Sequence, residues 1–94
     1  MKTKRFNWNN DKNRQLKEIR GVTFEDIIYY LSKGHLLDVI DNPQNEIYEN
    51  QKMFVVNIDD YAYLVPHVEN DEEIFLKTIF PSRKATKKYL RRKD

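Results

Sequence analysis

The chain has 94 residues, of which 39% are hydrophobic and 34% are charged, and its formal net charge is +2. This length and composition indicate one folded domain over residues 1–94 with a single core, rather than a disordered chain. The absence of cysteine excludes disulfide scaffolds, thiol chemistry and cysteine-based zinc sites. We expect a cytoplasmic protein, because no apolar segment resembles a secretory signal or is long enough to span a membrane.

The charges are unevenly distributed along the chain. Residues 1–20 carry +5 (seven Lys or Arg, two acids), residues 21–81 carry −9 (three Lys, twelve acids), and residues 82–94 carry +6 (seven Lys or Arg, one acid). If the two basic ends meet in the fold, they form a face that suits nucleic-acid phosphates or an acidic partner protein. The alternative is that both ends are rich in lysine and arginine only because they face solvent.

The first part of the chain predicts a short strand and two helices. Arg5–Trp8 alternates polar and aromatic residues, as in a strand whose aromatic side chains face inward. Residues 11–20 are compatible with a helix that ends at Gly21. A second helix is predicted over residues 23–34, where Thr23 begins a near-match to a capping box. The two helices therefore follow each other with almost no linker.

The rest of the chain predicts an antiparallel meander and a final basic helix, which makes the fold class α+β. Four strands are predicted, over residues 35–41, 52–58, 61–68 and 74–80. Asp59 and Asp60 suit a two-residue hairpin between the second and third of these strands. Pro66 marks an edge, a bulge or a strand end, because proline cannot donate to the ladder. Pro81 ends the last strand, and Ser82 is a suitable N-cap for the helix.

Two motifs resemble those of a known family. Residues 6–26, FNWNNDKNRQLKEIRGVTFED, resemble the F-x-W-[ND]-x-x-K-N…G-V-[ST]-F-E-[DE] opening of BrnT-type toxins. Residues 81–90, PSRKATKKYL, resemble the S-A-R-K-A-T closing motif of the same family. The resemblance implies a RelE-like domain with two N-terminal helices, a meander of about four strands and a C-terminal basic helix. It also implies a metal-independent endoribonuclease that inhibits translation and is neutralised by an antitoxin, expected to be of the ribbon-helix-helix type.

The closing motif supplies the candidate phosphate site. RelE-like nucleases need basic groups that hold the scissile phosphate and offset charge in the transition state. Arg83 matches the arginine of the motif; its planar fork suits a phosphate, and the amides at the start of the helix would add to it. Lys84 lies beside it. The alternative is that Arg83 pairs with a carboxylate at the edge of the core.

His67 and Glu69 are the candidate proton carriers. They stand two residues apart on a predicted strand, so both face the same side. The match places them on the tyrosine and glutamate of the Y-T-E motif that many family members carry. Histidine titrates near neutral pH, and a carboxylate can hold its tautomer. The alternative is that His67, which follows a proline, is an ordinary surface residue.

Lys12, Arg20, Lys87 and Lys88 are candidate RNA contacts. Arg20 replaces the histidine of the family's K-H-G-V motif, although the dipole at a helix C-terminus explains a cation there by itself. Thr78 stands where family members often have an arginine, so we expect weakened or altered activity. The two histidines lack metal-site spacing, and no cofactor is expected. A non-catalytic module that binds nucleic acid or an acidic protein on the same fold is the alternative function.

Overall fold

The computed structural model describes residues 4–41 and 51–90, which form three helices and a six-stranded mixed sheet. The α+β class expected from the sequence is confirmed. None of the helices in these two ranges is both long and apolar enough to cross a membrane. In chain order the elements are β1 (Arg5–Asn7), α1 (Asn10–Arg20), α2 (Phe24–Ser32), β2 (Leu36–Asp41), β3 (Gln51–Ile58), β4 (Tyr61–Glu69), β5 (Glu73–Leu76), β6 (Phe80–Pro81) and α3 (Arg83–Tyr89).

The sheet has the strand order β1-β5-β4-β3-β2, and β6 pairs separately with β4. Strands β2 to β5 form three consecutive antiparallel pairs, which is the predicted meander. Strand β1 adds a feature that the meander did not include, since it lies parallel to β5 with Phe6 opposite Ile74. The N-terminal strand is therefore an edge strand of the sheet.

The turn between β3 and β4 is the predicted two-residue hairpin. Ile58 pairs with Tyr61 across it, and the register continues to the far ends of both strands. Asp59 and Asp60 have φ values of 53° and 65°, in the left-handed region that a type I′ turn requires at both central positions. The amide of Asp60 donates to Asn57 Oδ1 at 2.9 Å.

The prediction of one continuous strand over residues 74–80 is wrong. Strand β5 ends at Leu76 and β6 begins at Phe80, so β4 pairs with β5 on one side of Pro66 and with β6 on the other. The carbonyl of Pro66 accepts a hydrogen bond from the amide of Lys77 at 2.8 Å. In an antiparallel strand the N–H and the C=O of one residue point in the same direction. The N–H that proline lacks would therefore also point at the break between β5 and β6.

The sheet separates two packed layers. Helices α1 and α2 cover one face, where the buried residues are Leu16, Val22, Phe24, Ile27, Phe54, Val56, Ile58, Val65, Leu76 and Ile79. Helix α3 covers the other face, packing Ala85 with Val55 and Ala62. The basic helices α1 and α3 therefore lie on opposite faces of the sheet rather than forming one basic face.

Candidate functional site

The opening motif builds the corner between α1 and α2. Asn13 Oδ1 accepts a hydrogen bond from the amide of Phe24 at 2.7 Å, and Asn13 Nδ2 donates to Glu25 Oε1 at 2.7 Å. The side chains of Thr23 and Asp26 cap α2 reciprocally. These contacts satisfy amide groups that a helix N-terminus leaves without intrahelical partners. Asn13, Thr23 and Asp26 of this motif thus have structural roles.

The closing motif attaches α3 to β4 through three of its residues. Ser82 Oγ accepts from the amide of Ala85 at 3.0 Å, and the amide of Ser82 donates to the carbonyl of Ala62 at 2.9 Å. Thr86 Oγ1 donates to the carbonyl of Ser82 at 2.7 Å and accepts from the amide of Ala62 at 2.9 Å. Ala85 is buried against the sheet. Ser82, Ala85 and Thr86 therefore have structural roles.

Arg83 and Lys84, between these anchors, are exposed. None of the ion pairs within residues 4–41 and 51–90 includes either of them, so the alternative of an Arg83–carboxylate pair finds no partner in those ranges. Lys87 and Lys88 are also exposed on the same helix. We call these four side chains the α3 basic surface. Helix α3 has seven residues, and the amides of Ala85 and Thr86 already donate to Ser82, so they are not available to a phosphate.

A cavity of about 290 Å³ lies between α3 and the sheet. Ile40, Met53, Leu64 and Ala85 supply its apolar side chains. Its remaining lining residues are Ser82, Lys84, Lys88 and Tyr89. Two cations of the α3 basic surface thus border an apolar cavity. We call it the α3 cavity.

Tyr89 and Asp38 form a hydrogen bond beside this cavity. Tyr89 Oη donates to Asp38 Oδ2 at 2.6 Å, and the amide of Val39 donates to Asp38 Oδ1 at 2.8 Å. The bond to Asp38 raises the pKa of Tyr89, and the same bond lowers the pKa of Asp38. Sequence reasoning missed Asp38. The available signal was a carboxylate between apolar neighbours, Leu37 and Val39, in the middle of a strand.

His67 is buried, with 1% of its surface exposed, so it is not the surface residue that its position after a proline indicated. Its ring stacks on Phe54 with centroids 3.9 Å apart. Nδ1 lies 3.1 Å from the carbonyl of Val65; since a carbonyl only accepts, the proton is on Nδ1. Nε2 is buried and has no hydrogen-bond partner among the described residues. Burial is the main cause that lowers the pKa of His67, so the ring is neutral at neutral pH.

Glu69 binds Lys4 rather than orienting His67. The Lys4 ammonium and the Glu69 carboxylate form an ion pair, whereas the ring nitrogen of His67 that carries a proton is bonded to backbone. Lys52 lies directly opposite His67 on β3. A second cavity, of about 470 Å³, is lined by Lys4, Lys52, Glu69, Asn70 and Asp71. The cavity has two cations and two carboxylates, so its lining is not predominantly basic.

The structure does not bring His67 and Arg83 together. His67 shares the α1–α2 face of the sheet with Val65 and Phe54, and α3 packs on the opposite face. Ser82 bonds to Ala62, which is five residues from His67 along β4, or about 16 Å at the usual rise of a strand. A single site that combines the predicted phosphate anchor with the predicted proton carriers is therefore not formed by the described residues.

The predicted RNA contacts are divided in the same way. Lys87 and Lys88 are on α3, whereas Lys12 and Arg20 are on α1 across the sheet. Arg20 is exposed at the end of α1. Thr78 is half-buried in the break between β5 and β6. The α3 basic surface places four of the predicted residues on one element, whereas α1 and β4 each carry two.

Within residues 4–41 and 51–90, no group of three His, Asp or Glu side chains is arranged to hold a metal ion. The α3 basic surface and the α3 cavity are thus the best candidate site, since they combine unpaired cations, an apolar cavity and a titratable pair.

Comparisons of the chain with protein-family models, curated proteins and solved structures found no match.

Proposed function

We propose that this protein is the toxin of a type II toxin–antitoxin pair, a RelE-like cytoplasmic domain that cleaves RNA without a metal and so inhibits translation. The α3 basic surface would hold the RNA phosphates. The observation that supports this most is the division within the closing motif. Ser82, Ala85 and Thr86 serve the fold, whereas Arg83 and Lys84 are exposed and make no ion pair in the described ranges.

In the proposed reaction, the 2′-hydroxyl attacks the neighbouring phosphate and the 5′-oxygen of the next nucleotide leaves. Arg83 binds the phosphate through its planar guanidinium, and Lys84 adds charge that offsets the growing negative charge. The proposal assigns proton transfer to Tyr89 and Asp38, because Lys84 and Tyr89 line the same cavity and Tyr89 is bonded to Asp38. The Asp38 carboxylate takes the proton of the attacking 2′-hydroxyl, and Tyr89 gives its proton to the leaving 5′-oxygen. Tyr89 carries the proton of the pair, since its hydroxyl donates to Asp38 Oδ2, and it is therefore assigned as the donor to the leaving oxygen.

The test is bacterial growth after controlled induction of the wild type beside Arg83→Ala and Lys84→Ala. We expect the wild type to arrest growth and Arg83→Ala to relieve the arrest while remaining folded and expressed. Arg14→Ala is the matched control, since Arg14 is an exposed arginine on α1, on the other face of the sheet. Growth unaffected by the folded, expressed wild type would refute the toxin assignment. Equal relief by Arg14→Ala would refute the role of α3.

A second candidate is a binding module without catalysis. The distance between Arg83 and the pair His67 and Glu69 favours it, because the predicted catalytic set is divided by the sheet. Its partner would be RNA or an acidic segment, such as one from a ribbon-helix-helix antitoxin. Incubation of purified protein with labelled RNA separates the two candidates. Cleavage that is lost in Tyr89→Phe supports the nuclease, whereas salt-sensitive binding that leaves the RNA intact supports the module.

A further inference from the structure

We infer that the α3 cavity takes one unpaired RNA base, so that the protein binds single-stranded RNA with a nucleotide inserted between α3 and the sheet. This rests on the proposed function, since it names the form of RNA that the α3 basic surface receives.

The cavity combines an apolar interior with cations on one border. Ile40, Met53 and Leu64 offer apolar surface, and Tyr89 offers an aromatic side chain. A nucleobase has planar faces that pack on apolar and aromatic side chains, and it carries phosphates on both sides along the backbone. Lys84 and Lys88 border the cavity, where they would meet those phosphates. One nucleotide therefore matches both parts of the site.

The lysines of α3 are not equivalent. Lys84 and Lys88 are four residues apart, which places them on the same side of a helix, and both line the cavity. The Lys88 ammonium lies 5.2 Å from the centroid of the Tyr89 ring, so its charge is held beside the aromatic wall. Lys87 is equally basic and exposed, but it does not line the cavity. This difference provides a control within a single helix.

The size of the cavity favours a base over a peptide segment. Its volume of about 290 Å³ is at the lower end of the range for small-molecule sites, roughly 300–1,000 Å³. An acidic peptide would use the lysines but would need further apolar side chains to fill the interior. Bases in a duplex are paired and stacked, so they cannot enter such a cavity. Single-stranded RNA is the ligand that uses the whole site.

The test measures binding of the full chain by fluorescence anisotropy at one fixed salt concentration. The probes are a short labelled single-stranded RNA, the same backbone with every base removed, the RNA annealed to its complement, and an acidic peptide of equal charge. We expect the base-free backbone to bind about tenfold more weakly than the RNA, since one stacked base contributes about 1–3 kcal/mol. The duplex should also bind more weakly than the single strand. Lys84→Ala and Lys88→Ala should each weaken binding several-fold more than Lys87→Ala.

Any one of three results would overturn the inference. The first is equal affinity for the RNA and its base-free backbone, and the second is tighter binding of the acidic peptide than of RNA. The third is an equal loss of RNA affinity in Lys84→Ala, Lys88→Ala and Lys87→Ala. These failures are distinct from failure of the proposed function. A protein that arrests growth and binds the base-free backbone as tightly as RNA is still an RNA-directed toxin, without an inserted base. A protein that binds neither RNA nor its backbone and leaves growth unaffected contradicts both.

Discussion

Replacing Thr86 with valine tests whether the closing motif has the structural role assigned to it. Valine has nearly the shape of threonine but no hydroxyl, so the change removes two hydrogen bonds with little change in volume. The amide of Ala62, in a fully buried residue, would lose its acceptor at 2.9 Å. The carbonyl of Ser82 would keep its bond from the amide of residue 86. The main consequence is therefore one unsatisfied buried donor.

The expected loss follows from that single group. Leaving a buried donor without a partner costs about 1–3 kcal/mol, and we take about 2 kcal/mol for Thr86→Val. For a domain of this size, each kcal/mol lowers Tm by about 4–8 °C, so Tm should fall by about 8–16 °C. Thr86→Ser is the matched control: it keeps the hydroxyl and removes one methyl group, at a cost of about 0.8 kcal/mol.

Urea unfolding and calorimetry of the three proteins decide the question. The order of stability should be wild type, then Thr86→Ser, then Thr86→Val. If Thr86→Ser is as unstable as Thr86→Val, then methyl packing rather than the bond to Ala62 holds α3, and the reasoning is refuted. RNA binding by Thr86→Val, measured at a temperature where it is folded, should match the wild type, because Thr86 is buried beneath the basic surface.

Three further changes test other parts of the fold. Asn13→Ala should lower the free energy of unfolding, measured in urea, by about 1–3 kcal/mol, because the amide of the buried Phe24 loses its acceptor. The control is Asn10→Ala, at an exposed position, which should change stability little. Burial lowers the pKa of His67, so as the pH falls the unfolded state binds a proton at this histidine before the folded state does. The free energy of unfolding of the wild type should therefore be constant above pH about 6.5. Below that pH it should decrease by up to about 1.4 kcal/mol per pH unit. His67→Phe should remove that slope, and equal slopes in both proteins between pH 7 and 5 would contradict it. Asp60→Gly should raise stability by about 0.5–1 kcal/mol, since Asp60 has a positive φ; a lower Tm would argue against strain in that turn.

Part of the fold could be predicted because its signals are local. Asp59 and Asp60 stand between two apolar strands, and backbone preferences at two adjacent positions are enough to define the hairpin. Alternation along a strand likewise predicts that His67 and Glu69 face the same side. Ser82 is the N-cap of α3, as predicted, because capping depends only on the residues that follow it.

The sequence by itself thus determined the α+β class, the β3–β4 hairpin and the uneven charge, because each depends on neighbouring residues or on composition. Only the tertiary structure decided which face each helix covers, and this separates His67 from Arg83. It also decided that β1 lies parallel to β5 and that Tyr89 reaches Asp38, 51 residues away. Alternation shows which side chains share a face, but it does not show which helix packs there. That choice depends on contacts between residues far apart in the chain.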